Sequence, residues 1–256
     1  RRIAALPWLP SLVKVGLRRL RRGINDRGQG MAEYELNGVT LFVPDEILTD
    51  RIADKLASGG YEGHEARAVL MRLRPGQRVL ELGSGLGYIA ALCAGVVGAQ
   101  NVLTVEANPA MLPVIRANLD RNAASGVRLL HGAVTGGAPE AETVGFQTGT
   151  AFWGAHVATP ETKPDAVVEV PRLSLPALLA DHRPHVVIMD IEGAEEQLFD
   201  APWPAHVRAV MIELHPGRYP DTVIQKIVDC MSASGLTYDP GPSRGRILCF
   251  RKVRGK

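Results

Sequence analysis

Between Arg78 and Ala90 the chain reads Arg-Val-Leu-Glu-Leu-Gly-Ser-Gly-Leu-Gly-Tyr-Ile-Ala, and few folds accommodate such a run. The apolar pair Val79-Leu80 has the character of a β-strand, and Glu81 follows it. Gly83, Gly85 and Gly87 come next at alternate positions, and a helical pattern starts at Tyr88. Glycines so placed let the main chain turn where other residues resist, and let a ligand lie close to the backbone. A second strand-like run, Asn101-Val-Leu-Thr-Val-Glu106, ends in an acid roughly twenty residues further on. That spacing puts a carboxylate over a ribose in a βαβ unit.

The pattern departs from the dinucleotide fingerprint G-x-G-x-x-G, because Tyr88 stands where the third glycine would pack helix on strand. With Glu81 two residues before the first glycine, E-x-G-x-G-x-G suits S-adenosylmethionine (SAM) better than a pyrophosphate. SAM has no phosphate, so the helix N-terminus need not be left open for one.

The chain's 256 residues suffice for one α/β domain with a short appendage. No run is long enough to span a membrane. Cys93, Cys230 and Cys249 are odd in number and lie in apolar surroundings, as reduced core residues of a cytoplasmic protein do. The net charge of +2 is unevenly spread. Residues 1–28 hold eight Lys/Arg against Asp26, a local charge of +7 that leaves −5 for the rest. A mildly acidic body argues against a nucleic-acid surface there.

Residues 1–60 read as an N-terminal extension and residues 61–256 as the SAM-binding domain. Pro7 and Pro10 interrupt the start, so the spacing predicts a basic amphipathic helix from Ser11 to Arg22. Such a helix either packs on the body with a solvated basic face or lies against the inner face of a membrane through residues 1–23. It is no secretory signal, because no uninterrupted apolar core follows the charges. Tyr34, Leu36, Val39, Leu41 and Val43 flank Asn37-Gly38, a strong hairpin signal. Helices over 45–58 and 64–73 precede the first core strand.

Strand and helix then alternate: strand 78–82, helix 86–97, strand 101–106, helix 109–123 and strand 127–131. After an aperiodic segment, 132–166, come strand 167–170, helix 174–181, strand 185–190, helix 193–200, strand 207–214 and helix 220–233. A terminal strand pair lies near 236–239 and 246–252. This order implies a Rossmann-like α/β fold, a mostly parallel sheet with helices on both faces. Within 132–166, Phe152, Trp153 and His156 either form a lid over an acceptor or pin the loop to the body.

Ligands of open α/β sheets sit beyond the carboxyl ends of the strands, and Glu81, Glu106, Asp190, Glu213 and His215 all fall there. Asp190 could equally cap a helix near Gly193, and Glu195 is expected to face solvent.

Several blocks resemble the FkbM family of SAM-dependent methyltransferases: Tyr61-Glu62, Glu81 to Tyr88, Glu106-Ala-Asn-Pro109, Val170-Pro-Arg-Leu-Ser-Leu175 and Asp190-Ile-Glu-Gly-Ala-Glu195. Many members carry a lysine two residues before the aspartate, where this chain has Ile188. The resemblance implies a class I methyltransferase sheet of seven strands with the last antiparallel. It further implies O-methylation of a hydroxyl on a small-molecule, sugar, glycolipid or polyketide-like acceptor.

On that reading Gly83, Ser84, Gly85, Gly87 and Tyr88 form the cofactor loop, and Glu81 holds the methionine ammonium. Glu106 takes the ribose, Asn108 and the backbone around Gly132-Ala133 flank the adenine, and Ala107 is a further cofactor-binding residue. Tyr61 and Glu62 close over the cofactor, and Asp190 lies by the reacting methyl. An alcohol needs a proton acceptor, for which His215 is the first choice, with Asp190 or Glu192 behind it. Asp190, Glu192, Glu213 and His215 also offer ligands suited to Mg2+ or Mn2+. Two rival readings are a nicotinamide-dependent oxidoreductase, disfavoured by Glu81 and Tyr88, and a non-catalytic scaffold on the same fold.

Overall fold

The computed structural model describes residues 19–24, 30–137, 141–147, 156–157 and 167–255. The described chain opens with β1 (Arg19–Ile24), β2 (Gly30–Leu36) and β3 (Val39–Pro44), an antiparallel sheet in that order. Asn37 and Gly38, at φ +49° and +80°, form the two-residue turn between β2 and β3, the backbone that twisted hairpins favour. Residues 19–22, expected in a helix, are strand instead. Pairing with β2 from Arg19 to Ile24 gives this segment cross-strand hydrogen bonds that an isolated basic helix lacks. Residues 1–18, the remainder of that helix and of the expected membrane-facing segment, lie outside the described residues.

Helices α1 (Asp50–Ala57) and α2 (Gly63–Arg72) lead into β4 (Val79–Leu82), α3 (Tyr88–Val97), β5 (Val102–Glu106), α4 (Leu112–Arg121) and β6 (Arg128–His131). Next come β7 (Ala133–Thr135), β8 (Thr143–Gln147), β9 (His156–Val157) and β10 (Val167–Ser174). These four build a second sheet, ordered β7-β10-β8-β9. The segment expected to be one long loop thus contributes strands. Thr143–Gln147 pairs antiparallel with Val167–Pro171, a non-local partnership that no short-range pattern displays. The lid residues Phe152 and Trp153 lie outside the described residues; His156 starts β9.

The chain returns through α5 (Leu175–His182), β11 (Val186–Met189), a 3-10 turn at Ala194–Leu198, β12 (Ala209–Glu213), α6 (Asp221–Ala233), β13 (Leu236–Tyr238) and β14 (Ile247–Lys252). The helix expected over 193–200 is that short 3-10 turn. The central sheet runs β13-β14-β12-β11-β4-β5-β6, with β14 antiparallel to both neighbours. This is the seven-stranded class I SAM-methyltransferase sheet, its last strand reversed.

Side chains alternate across the sheet as strand geometry requires. Val79, Val186 and Ile188 join the core formed with α2, α3 and α4, whereas Leu80, Leu82, Val187 and Met189 join α5 and α6. The hairpin is fastened to the first layer by side-chain amides. Asn118 accepts from the Phe42 N–H (2.8 Å) and donates to the Phe42 carbonyl (3.2 Å). Asn122 does the same with Thr40, at 2.9 and 2.8 Å. Arg121 stacks over the Phe42 ring, 3.5 Å from its centroid. The three cysteines are free and buried. Among the described residues no helix is long and apolar enough to cross a membrane.

Candidate active site

β4 gives way to the glycine turn, where Gly83, Gly85 and Gly87 take φ values of +87°, +52° and +78°, a region costly for residues with a Cβ. Space imposes the same choice. A Cβ on Gly83 would run into the Asp190 carbonyl at the end of β11, and one on Gly85 would come within 2.8 Å of Glu62 Oε1 and Tyr61 Oη. Glu62 is itself left-handed, at φ +45°, as the residue preceding α2. Tyr61 and Glu62 therefore reach over the glycine turn from the N-terminal side.

Glu106, at the end of β5, holds the turn from beneath. Its Oε2 accepts from the Ser84 and Gly85 N–H groups (3.1 and 3.3 Å), and its Oε1 from that of Asn108 (2.8 Å). Burial raises its pKa, with the backbone amides of Asn108, Ser84, Gly85 and Ala107 opposing. Glu81 accepts from Thr104 Oγ1, which also meets Ser84 Oγ. Burial pushes the Glu81 carboxyl up to about 8 despite that hydrogen bond.

A cavity of about 760 Å³ opens above the turn. Tyr61, Glu62, Glu81, Gly83, Gly85, Glu106, Ala107, Ala133, Asp190, Glu192 and Glu213 line it. Ser84, Gly87, Tyr88 and Asn108 support the turn from outside the cavity wall. Tyr88 is fully buried and accepts from Asn37 Nδ2 at 2.6 Å, while Asn108 caps the turn at Pro109–Met111. A glycine cradle without Cβ atoms, flanked by the Glu81 and Glu106 carboxyl groups, fits SAM: small backbone beneath, and acceptors for the ammonium and the ribose hydroxyls.

At the far side of the cavity, β11 stops at Met189 and Glu192 turns left-handed at φ +53°. As residues i and i+2 the two acids would share a face if the strand continued; at this turn both approach His215, whose Nε2 lies 3.4 Å from Asp190 Oδ1 and 3.6 Å from Glu192 Oε2. His215 is 4% exposed and does not line the cavity; it stands behind the two carboxylates. Burial pulls its pKa down, but Asp190 and Glu195 outweigh burial and lift it to about 10.

Glu195, expected in solvent, is fully buried and meets His215 Nδ1 at 3.0 Å. The irregular turn after Gly193 carries it inward, which a helix-based reading could not show. Glu65 was also missed. It faces the cavity from α2 beside Glu213 and Asp190, and burial together with Glu213 raises its carboxyl to about 8. Its signal was faint, an acid on the inner face of a short helix. Thr104 gave a clearer one as a polar residue inside an otherwise apolar strand. Among the described residues, two groups bring ligand-type atoms within 4.8 Å of one another: Asp190, Glu192 and His215, and Glu65, Asp190 and Glu213.

Comparison with known proteins gives the site its relatives. A family described as Protein-L-isoaspartate(D-aspartate) O-methyltransferase (PCMT) matches residues 62–144, less than half of the chain. A protein-L-isoaspartate O-methyltransferase of Rhizobium meliloti is 28% identical over 195 residues, covering 72% of this chain and 93% of that protein. Another, of Methanococcoides burtonii, is 33% identical over 108 residues, 39% of this chain. The chain spans only 53% of that relative's length. Among solved structures, a precorrin-6y C5,15-methyltransferase of Geobacter metallireducens shares 17% identity over 75% of this chain and 88% of its own, with a TM-score of 0.43. That likeness is too loose to add to the strand order.

These matches overturn the FkbM resemblance. The block that most suggested it, Asp190 to Glu195, lies outside the matched residues 62–144. The acceptor drawn from that resemblance falls with it, because the relatives are named for protein isoaspartate rather than for sugar, glycolipid or polyketide hydroxyls. Strand order, glycine turn and matches agree on a SAM-dependent methyltransferase with SAM as its cofactor.

Proposed function

We propose that this chain transfers a methyl group to a carboxylate oxygen of a protein acceptor, of the isoaspartyl kind for which its relatives are named. The observation that carries the reading is the placement of His215. The histidine suited to deprotonate an alcohol is buried behind Asp190 and Glu192 and does not line the cavity, and the carboxylates around it favour its charged form. A carboxylate acceptor is ionised at neutral pH and needs no base. SAM, when bound, supplies an electrophilic methyl on a sulfonium. Glu106 holds the ribose, Glu81 the ammonium, and the glycine turn the chain between them. Asp190 and Glu192 form the wall where acceptor and methyl meet, so the work is chiefly alignment and exclusion of water. Arg51 and Lys55 on α1, at the cavity mouth, give an incoming carboxylate its cations. Glu65, Asp190 and Glu213 form the set that would take Mg2+ or Mn2+; this reading assigns a metal no step.

One observation favours a second reading, an amine acceptor: Glu62, Glu65, Asp190, Glu192 and Glu213 all line the cavity. The two readings part in one assay. The purified chain is given methyl-labelled SAM with an isoaspartyl peptide, its aspartyl counterpart and a lysine-rich peptide. Label on the isoaspartyl peptide alone, released as methanol by mild alkali, is the expected result. Alkali-stable label on the lysine-rich peptide would replace the carboxylate reading with the amine. Calorimetry with SAM, and with NAD as control, tests the cofactor separately.

A further inference from the structure

Glu195 belongs to none of the cofactor or acceptor contacts described above, yet it is fully buried on the turn Ala194–Leu198. Its Oε1 meets His215 Nδ1 at 3.0 Å, and its Oε2 has no hydrogen-bond partner among the described residues. A buried carboxylate with half its capacity unused is costly to keep, so the one bond it makes calls for an explanation.

That bond determines where His215 points. The His215 main-chain N–H donates to Tyr219 Oη at 2.8 Å, which fixes the backbone, and Glu195 fixes one side of the ring. Nε2 is left facing Asp190 Oδ1 and Glu192 Oε2. Asp190 Oδ1 is buried and, among the described residues, makes no hydrogen bond of good geometry, and Arg218 Nη2 approaches Glu192 at 3.6 Å. Of this set, Asp190 and Glu192 line the cavity, and Glu195 and His215 stand behind them. We infer that Glu195 is a positioning residue: acting through His215, it holds Asp190 and Glu192 in place on the acceptor-side wall of the cavity. The inference rests on the methyl-transfer reading of that cavity. A purely structural ion pair would tie the same two loops together without affecting turnover.

Two variants separate these roles. Glu195→Gln keeps the shape and an acceptor for the Nδ1–H but removes the charge, and guards against a variant that fails to fold; Glu195→Leu removes both. With an isoaspartyl peptide as acceptor, Glu195→Leu lowers kcat by about 10²-fold, the cost of a misplaced wall. Glu195→Gln falls between it and the parent, and KM for SAM stays within about twofold in both. In a His215→Asn background Glu195→Gln costs nothing further, because its effect passes through the imidazole. A readout independent of acceptor is the slowly exchanging imidazole Nδ1–H proton in the NMR spectrum. It is assigned by its loss in His215→Asn and expected to vanish in Glu195→Leu. Unchanged kcat per folded molecule, additive effects in the double variant, or a persisting proton signal would each overturn the inference. If the parent leaves the isoaspartyl peptide unmethylated, the acceptor reading fails, and kcat on the lysine-rich peptide then decides the role of Glu195.

Discussion

Glu106→Ala separates two jobs that one carboxylate performs. In the protein it accepts from the main-chain N–H groups of Ser84, Gly85 and Asn108; with cofactor present it is expected to accept from the ribose hydroxyls as well. A hydrogen bond to a charged group contributes about 1.5–3 kcal/mol. Water entering from the cavity replaces part of what Gly85 loses, while Ser84, 1% exposed, is harder to reach. The loss of fold stability should therefore be about 2–4 kcal/mol. Losing two ribose bonds should weaken SAM by about 3 kcal/mol or more, on the order of 10²-fold in Kd. Chemical denaturation reads the first quantity, and calorimetric titration at a temperature where the variant is folded reads the second. Glu106→Gln, which keeps one accepting oxygen, should fall between. An alanine variant that loses the expected stability yet binds SAM within threefold of the parent would show that Glu106 only holds the turn, and the ribose assignment would be wrong.

Three further outcomes are expected. Gly83→Ala adds a Cβ against the Asp190 carbonyl at φ +87°, so it should abolish SAM binding or folding; a thermal melt and SAM affinity matching the parent would refute the packing argument. Asn118→Leu removes bonds to Phe42 and to the Leu86 carbonyl at a fully buried position, and should cost about 2–4 kcal/mol by denaturation; a loss below about 0.5 kcal/mol would count against it. Burial leads in pushing the Glu65 and Glu81 carboxyls up to about 8, so the folded chain keeps protons that unfolded glutamates release from about 4.5 upward. Stability should therefore fall as pH rises through that window. The cationic groups of SAM favour the ionised carboxylates, so SAM affinity should rise across the same window, with proton release visible in calorimetry across buffers. Affinity that stayed flat would remove the electrostatic role given to these acids.

Much of the fold was written in local patterns. The glycine turn was legible because three alternate glycines meet a demand that other residues satisfy badly, and all three take positive φ. The parallel sheet was legible because apolar runs such as Val186–Met189 are buried on both faces. Arg19–Ile24 and the sheet around β8 were not, since their structure depends on partners distant in sequence. In the site, the strand-end acids were visible by position, whereas Glu195 was hidden. Its burial comes from the left-handed turn at Glu192-Gly193, which ends the strand and redirects the chain beyond it. The FkbM resemblance rested on acids, Asp190 to Glu195, that lie outside residues 62–144, where the family model matches.

The amides of Asn118 and Asn122 have a consequence of another kind. β3 lies at the edge of its sheet, and the outward main-chain groups of Thr40 and Phe42 would otherwise offer a template for any extended strand that drifted by. Two carboxamides one helical turn apart match that two-residue repeat and fill it, so a helix completes the ladder that another strand would have completed. Held in this way, β3 is closed to another strand along Thr40 and Phe42, and that protection comes from two side chains of the layer that also supports the glycine turn.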